Sequence, residues 1–287
     1  MKTRLRDSFF LHYQKDADIL VQAPCRINII GEHTDYNGGL VLPAAINYHI
    51  YFAVAQTVTP VVSIYDENKD KRFSYSLDEE LDLVGLSQWR KYYYGAIKIL
   101  QEKHELPGFQ VLKVGKAPIG AGISSSAALC CGFIYSLNEL FHLGLDRWTI
   151  AKLARRVEQE YVGLQCGIMD QFAVLFGESN KALSLNCSDL SYATHDIKLK
   201  DYRFMLINSQ VKHNLADSAY NERVEEMNEV RRLLGKPDLN AASKEEVLGL
   251  PEVLSRRMQH HLFENQRVKS MIAALEDDDY FKAGNIL

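Results

Sequence analysis

The chain has 287 residues, of which 47% are hydrophobic and 24% are charged, and its formal net charge is −4. This composition indicates a globular protein of one large or two ordinary domains, and the net charge argues against a nucleic-acid-binding surface. Residues 1–20 lack the apolar core of a signal peptide, and no window approaches the ~18 apolar residues of a membrane span. Five irregularly spaced cysteines indicate reduced thiols, so the expected location is the cytoplasm.

Hydrophobic periodicity predicts strands and helices that alternate along the chain. Short apolar runs predict strands at residues 19–21, 48–55, 61–65, 72–75, 109–114, 183–185 and 204–207. Helical spacing predicts helices at residues 89–105, 124–141, 147–162 and 217–234, with further short helices at 245–263. Gly235 is expected to end the helix before it. This order predicts an α/β protein, and the loop near residues 177–179 is a candidate domain boundary.

The stretch of residues 118–127 reads Pro-Ile-Gly-Ala-Gly-Ile-Ser-Ser-Ser-Ala and is the most informative part of the chain. Its small residues let the backbone approach a ligand; they are Gly120, Ala121 and Gly122. Hydroxyls follow at Ser124, Ser125 and Ser126, where a helical pattern begins. Free backbone N–H groups and the positive end of a helix dipole form a phosphate site. The stretch lacks the P-loop pattern, and a plain loop with a serine cap is the alternative.

A second stretch, residues 26–39, crowds charged groups into a probable turn between two apolar runs. It contains Arg26, Glu32, His33 and Asp35, with glycines around them. Carboxylates and an imidazole can bind several hydroxyls at once, as a sugar site requires. From these residues alone, a metal site or a solvated loop is also possible, although the H-E-x-x-H zinc pattern is absent.

Together these stretches resemble the GHMP kinases, and the second is close to the galactokinase signature. Residues 166–171 resemble the catalytic segment of the family, and Asn208-Ser209 with Ala219-Tyr220 fall where galactokinases carry another sugar contact. The chain departs from the family at Cys25, where glycine is usual. The resemblance implies a GHMP-kinase two-domain α/β (α+β) fold with the active site in the cleft between the domains. A ribosomal-protein-S5-domain-2-like domain (1–179) would precede a ferredoxin-like α/β domain (180–287).

The resemblance also implies a reaction, the ATP-dependent phosphorylation of galactose at its C1 hydroxyl. Asp170 would accept the hydroxyl proton, and Arg26 would keep Asp170 ionised and stabilise the transferred phosphoryl group. The implied galactose contacts are Glu32, His33, Thr34, Asp35, Gly167 and Tyr220. From the residues alone, His33 could instead be a core imidazole, and Tyr220 a half-buried helix residue.

ATP and Mg²⁺ are the implied cofactors. The nucleotide would contact Trp89, Gly120, Ala121, Gly122, Ile123, Ser124, Ser125 and Ser126. Mg²⁺ would bind the Ser126 hydroxyl and the Glu158 carboxylate, because it prefers hard oxygen ligands. From the sequence alone, a surface glutamate is the favoured interpretation of Glu158, and Trp89 could be a core aromatic residue at the start of a helix.

The chain ends sooner than galactokinases do and lacks their third glycine-rich motif. We therefore expect an incomplete second domain, with weak nucleotide binding and turnover in this chain. The alternatives are a kinase for a modified galactose such as N-acetylgalactosamine, a galactose and ATP sensor, and an inactive fragment. Ala127 and Ala128 after the serines favour the enzyme over the sensor. No nucleic acid, membrane or obligate protein partner is implied.

Overall fold

The computed structural model describes residues 1–115, 117, 121–208 and 218–287. Its strands are β1 (Ile19–Asn28), β2 (Leu40–Val41), β3 (Pro43–Gln56), β4 (Val61–Asp66), β5 (Lys71–Ser76), β6 (Phe109–Gly115), β7 (Lys181–Asn186) and β8 (Tyr192–Asp196). Its helices are α1 (Lys2–Tyr13), α2 (Gln88–Gln101), α3 (Ser125–Phe141), α4 (Arg147–Arg156), α5 (Met169–Phe176), α6 (Ser218–Leu234), α7 (Lys244–Leu248), α8 (Glu252–Glu276) and α9 (Tyr280–Ile286). None of these helices is long and apolar enough to cross a membrane.

The strands form two sheets. The larger sheet has the order β1-β3-β6-β4-β5, in which β6 runs antiparallel to β3 and parallel to β4. Strands β4 and β5 form an antiparallel pair with alternating buried and exposed residues, so one face of this hairpin packs on the core. The smaller sheet has the order β2-β7-β8. The mixture of sheets and helices confirms the predicted α/β class.

The chain divides into two compact units that interleave along the sequence. Unit 1 comprises Met1–Cys25, Ile46–Ile119 and Ile123–Gly163, and unit 2 comprises Arg26–Ala45, Gly120–Gly122 and Leu164–Leu287. The domain boundary predicted near residue 179 divides the chain differently and stays a prediction.

The core of unit 1 is built around Phe133 on α3. This buried ring has its centroid 5.0 Å from that of Tyr93 and 6.2 Å from that of Phe109. One residue earlier, a Cβ added at Gly132 would lie 2.6 Å from the Phe52 ring, so only glycine lets the helix approach the sheet this closely. Burying each large side chain here stabilises the fold by roughly 1.5–3 kcal/mol.

The core of unit 2 joins distant parts of the chain through α8. Val268 and Met271 of this helix pack with Ile30, with Leu42, which follows the short strand β2, and with Ala182 of β7. A second cluster in the same unit contains Met227, Val230, Leu239, Val247 and Met258. Helix α8 therefore lies against the segment in which the sequence predicts sugar contacts.

Most predicted elements are present, and the differences have physical reasons. Residues 204–207, predicted as a strand, form none; Met205 and Ile207 are 82% and 83% exposed, so this run has no buried face. The short helices predicted at 245–263 are α7 and the first half of the long helix α8. Helix α1 escaped prediction because only Leu5 and Phe9 of its residues are buried. The predicted helix 147–162 changes at Val157 from α4 to a π-helical turn, Val157–Val162.

Candidate active site

Arg26 and Asp170, the predicted catalytic pair, are in direct contact in unit 2. Arg26 lies near the end of β1, and Asp170 lies in the first turn of α5. Arg26 Nε donates a hydrogen bond to Asp170 Oδ1 at 2.7 Å, and Nη1 donates to the Gly122 carbonyl at 2.8 Å. Since only 9% of Arg26 is exposed, water screens this ion pair less than it would a surface pair. The contact fixes both members of the pair and attaches Gly122 to them.

Residues 31–40, called the sugar turn below because the sequence predicts sugar contacts there, are held closed by Thr34. The Thr34 hydroxyl lies 2.9 Å from the Gly31 carbonyl and 2.7 Å from the Leu40 carbonyl, and the side chain is fully buried. Gly31 has φ +107°, and an added Cβ would lie 2.7 Å from Val41 Cα. Thr34 thus joins the two ends of the turn, a role that the sequence did not indicate. Its predicted sugar contact stays a prediction.

Asp35 shares its surroundings with Gly167, Asp170 and Arg26. A Cβ added at Gly167 would lie 2.1 Å from Asp35 Oδ2, so the carboxylate occupies the space that any larger residue would fill. Burial, and then the negative charge of Asp170, raise the pKa of Asp35 to about 6, while Arg26 acts in the opposite direction. The structure thus brings four of the predicted site residues together at the start of α5.

His33, Tyr36 and Tyr220 form an aromatic cluster in the same unit. The His33 ring centroid lies 5.8 Å from that of Tyr36 and 5.5 Å from that of Tyr220. His33 Nδ1 also lies 2.8 Å from the Tyr36 hydroxyl. Burial, and then the charges of His260, Arg223 and Arg257, lower the pKa of His33. A neutral imidazole can both donate and accept a hydrogen bond, which suits contact with a sugar hydroxyl.

Glu32 is paired with a buried carboxylate that the sequence did not single out, Glu264 of α8. One oxygen of Glu264 accepts hydrogen bonds from the Gly31 and Glu32 amides at 2.9 and 3.2 Å, and the other is 2.6 Å from Arg267 Nη1. Burial and the neighbouring Glu264 raise the pKa of Glu32 to about 7. Burial alone would raise the pKa of Glu264, but its hydrogen bonds lower it, so Glu264 is the ionised member.

Further polar residues of α8 also contact the sugar turn and were missed by sequence reasoning. His260 Nε2 donates to the Glu32 carbonyl at 2.9 Å, and Asn265 Oδ1 accepts from the Leu40 amide at 2.7 Å. The sequence did carry a signal for them. His261, Glu264 and Asn265 interrupt the apolar stripe between Met258 and Val268, and polar side chains in a buried stripe require partners.

A cavity of about 280 Å³ opens beside the sugar turn. Its lining residues are His33, Tyr36, Asn37, Arg223, Met227, Arg257 and His260. Arg223 and Arg257 both bind Glu226, at 2.8 and 2.7 Å, so the carboxylate offsets part of their charge. Polar residues from α6 and α8 therefore surround the predicted sugar contact His33, although sequence reasoning assigned none of them to the site.

The phosphate-loop residues are divided between the two units. In unit 1, α3 begins at Ser125, Ser124 has φ +51°, and the three serines are half-buried. In unit 2, Gly122 has φ +72°, which favours glycine, and a half-buried Ala121 precedes it. Ile123 is buried in unit 1, and Gly120 lies outside the described residues. The helix start within the serines confirms the predicted local structure, while the nucleotide contacts stay predictions.

Glu158 and Trp89 lie in unit 1. Glu158 is 2% exposed in the π-helical turn, so the surface-glutamate alternative is wrong. Its carboxylate and the Ser126 hydroxyl are hard oxygen donors, and this chemistry fits Mg²⁺. Trp89, in the first turn of α2, is half-buried and packs edge-on against Phe73 and Tyr93, each with centroids 6.1 Å away. An adenine contact of Trp89 stays a prediction.

Comparisons with known proteins cover nearly all of the chain. Residues 7–56 match the galactokinase galactose-binding signature, and residues 91–178 match the N-terminal domain of GHMP kinases. The chain is 39% identical to the galactokinase of Thermotoga neapolitana over 93% of its length and 75% of that protein. It is 34% identical to the galactokinase of Staphylococcus carnosus over its whole length and 77% of that protein.

Solved structures give the same picture. The crystal structure of Lactococcus lactis galactokinase complexed with galactose superposes with a TM-score of 0.90 at 33% identity, over all of this chain and 77% of that one. Methanococcus jannaschii mevalonate kinase superposes with a TM-score of 0.55 at 17% identity, which shows a shared fold alone. The sugar turn lies within the first matched family segment, and Ser124, Glu158 and Asp170 lie within the second.

Proposed function

Because this chain belongs to the galactokinase family of the GHMP kinases, we propose that it transfers the γ-phosphoryl group of ATP to the C1 hydroxyl of galactose. In this reaction the hydroxyl loses its proton, a bond forms between its oxygen and the γ-phosphorus, and the bond to the β,γ-bridging oxygen breaks to release ADP. The observation that carries the proposal is the contact of Arg26 with Asp170 beside Asp35 and Gly167.

Asp170 and Arg26 supply the groups that phosphoryl transfer requires from the protein. A carboxylate held by a guanidinium can accept the hydroxyl proton as the oxygen attacks. Arg26 has a second nitrogen on the Gly122 carbonyl, so its orientation is fixed before a substrate binds. Such preorganised positive charge stabilises charge that develops on the transferred group.

The sugar turn would select galactose by its hydroxyl pattern. Glu32, His33, Asp35 and Tyr220 would bond directly to the hydroxyls, and the Gly167 amide would add a donor. The Asp35 carboxylate is packed directly against Gly167, since a Cβ added there would lie 2.1 Å from Oδ2. A site built on such fixed polar groups rejects an epimer because its own groups are then left unpaired.

The phosphate loop and Trp89 would bind ATP, with the triphosphate at the first turn of α3. Ser126 and Glu158 would hold Mg²⁺, which neutralises phosphate charge when it is bound. Within the described ranges, no three His, Cys, Asp or Glu side chains meet as a metal cluster. Two protein ligands are sufficient for an ion that keeps several waters and binds substrate phosphates.

The proposal is tested by ADP release with galactose, glucose and N-acetylgalactosamine as acceptors, and by identification of the phosphorylated carbon with NMR. We expect galactose 1-phosphate and a kcat/KM at least about a hundredfold higher for galactose than for glucose. Faster turnover of N-acetylgalactosamine would reassign the substrate. Galactose binding without phosphorylation of any hexose would support the sensor alternative.

A further inference from the structure

Helix α8 holds the backbone of the sugar turn at three points. Glu264 accepts hydrogen bonds from the Gly31 and Glu32 amides, His260 donates to the Glu32 carbonyl, and Asn265 accepts from the Leu40 amide. The contact leaves no spare room, because a Cβ added at Gly39 would lie 2.7 Å from Asn265 Oδ1. The helix therefore bonds to both ends of the turn.

Glu264 is the central contact of this support. It is 1% exposed, and a buried carboxylate is costly unless its oxygens are bonded. Its partners meet that cost: the two amides occupy one oxygen, and Arg267 occupies the other at 2.6 Å. Such charge-assisted hydrogen bonds are stronger and shorter than neutral ones. They fix the backbone amides of Gly31 and Glu32, which immediately precede the side chains of Glu32 and His33 along the chain.

We infer that Glu264, together with His260, positions the sugar turn for galactose binding, an inference that rests on the proposed function. The turn needs such a device because its backbone is unusual: Gly31 has φ +107° and His33 has φ +59°. A non-glycine residue in the left-handed region persists only where its surroundings hold it. Without Glu264, the amides of residues 31 and 32 lose their acceptor, and the turn can relax away from the geometry that presents Glu32 and His33.

A positioning role and a purely structural role have different kinetic signatures. A structural defect lowers the fraction of active molecules and the melting temperature, and it leaves the KM values of the remaining active molecules unchanged. A displaced sugar turn, in contrast, lowers the affinity for galactose in every folded molecule. Because the hydrogen bonds of the three α8 residues hold the sugar turn, we expect the KM for ATP to stay constant.

The test compares Glu264→Gln with the wild-type chain and with Glu252→Gln, the same change at an exposed position of the same helix. We expect the galactose dissociation constant, measured by calorimetry, and the galactose KM to rise about tenfold in Glu264→Gln. The ATP KM should stay within about twofold of the wild-type value, and Glu252→Gln should match the wild type. Unchanged galactose affinity, or an equal rise in both KM values, would overturn the inference.

His260→Ala keeps the test decisive if Glu264→Gln does not fold. His260 is exposed and contacts the turn through one hydrogen bond, so its loss should leave folding intact. We expect a galactose dissociation constant raised about threefold with an unchanged ATP KM, and no change would overturn the inference. A wild-type chain that binds galactose without phosphorylating it would refute the proposed activity alone, since the binding comparison would still test Glu264. A wild-type chain that does not bind galactose would refute both.

Discussion

Two carboxylates of unit 2 have neighbours of opposite charge. Asp170 lies against the guanidinium of Arg26, whereas Glu32 lies against a second carboxylate, Glu264. The guanidinium holds the Asp170 carboxylate in place through charge-assisted hydrogen bonds, whereas the neighbouring carboxylate favours the protonated form of Glu32. The comparison indicates two kinds of task. A proton acceptor in catalysis needs a negative charge, whereas a sugar contact gains from a carboxyl group that can donate as well as accept.

Asp170→Asn is expected to give the largest effect, because it removes the proposed proton acceptor and keeps the shape of the side chain. We expect kcat to fall by about 10²–10⁴, while the galactose dissociation constant stays within about threefold. Rate assays and calorimetry measure the two quantities separately. Asp78→Asn, an exposed site in unit 1, is the matched control. A variant that keeps half of its kcat would remove Asp170 from the catalytic role.

Gly167→Ala tests whether the position of the Asp35 carboxylate depends on the absence of a side chain at Gly167. The added methyl group would lie 2.1 Å from Asp35 Oδ2, so Asp35 must move. Overpacking of this kind costs about 1–3 kcal/mol, and we expect galactose affinity to fall by about ten- to a hundredfold. Calorimetry with galactose checks this expectation. Gly284→Ala is the control, since nothing lies within 4 Å of its added Cβ. Equal affinities in the two variants would show that Asp35 does not contact the sugar.

Glu32→Gln should give the smallest effect, a change in how stability depends on pH. The folded-state pKa of Glu32 is about 7, above the ordinary value of 4.5. Between these values the folded state holds more protons than the unfolded state, so rising pH lowers the contribution of Glu32 to stability. The variant lacks this loss. Between pH 4.5 and 7 its free energy of unfolding should therefore rise by about 1 kcal/mol relative to that of the wild type, after allowance for solvent screening.

Urea unfolding of both proteins at several pH values measures this difference. Glu252 has an exposed carboxylate that is paired with Arg256. The unfolding free energy of Glu252→Gln should therefore depend on pH between 4.5 and 7 as that of the wild type does. If Glu32→Gln also shows the pH dependence of the wild type, Glu32 ionises as freely in the folded chain as in the unfolded one. The contrast between the two carboxylates would then be lost.

The sequence predicted the elements and site residues whose signals are local. The serines at the start of α3, the stop at Gly235 and the grouping of Arg26, Glu32, His33 and Asp35 can each be read within a few residues. Burial depends on the whole fold and was therefore harder to predict from the sequence. Glu158 could not be separated from a surface glutamate by pattern, and residues 204–207 have strand-like composition without a buried face.

The support of the sugar turn illustrates what a local pattern cannot show. Thr34 reads as part of the sugar motif, yet its hydroxyl contacts the carbonyls at the two ends of the turn. Glu264 and Asn265 lie beyond the last predicted helix, which ends at residue 263, yet both belong to α8 and are buried against the turn. Their polarity could be noticed in the sequence. Their partners could not be identified, because pairing over such distances is decided by tertiary packing.

The contact between Gly31 and Glu264 spans 233 positions of the chain. During synthesis the sugar turn therefore leaves the ribosome long before the helix that holds it. At ordinary translation rates the interval is on the order of ten to fifty seconds. Over that time the amides of Gly31 and Glu32 lack their Glu264 acceptor, so the sugar turn can be held in its final geometry only after α8 has been synthesised. A ribosome stalled before α8 would carry a chain with every motif residue of the turn and none of the α8 side chains that hold it.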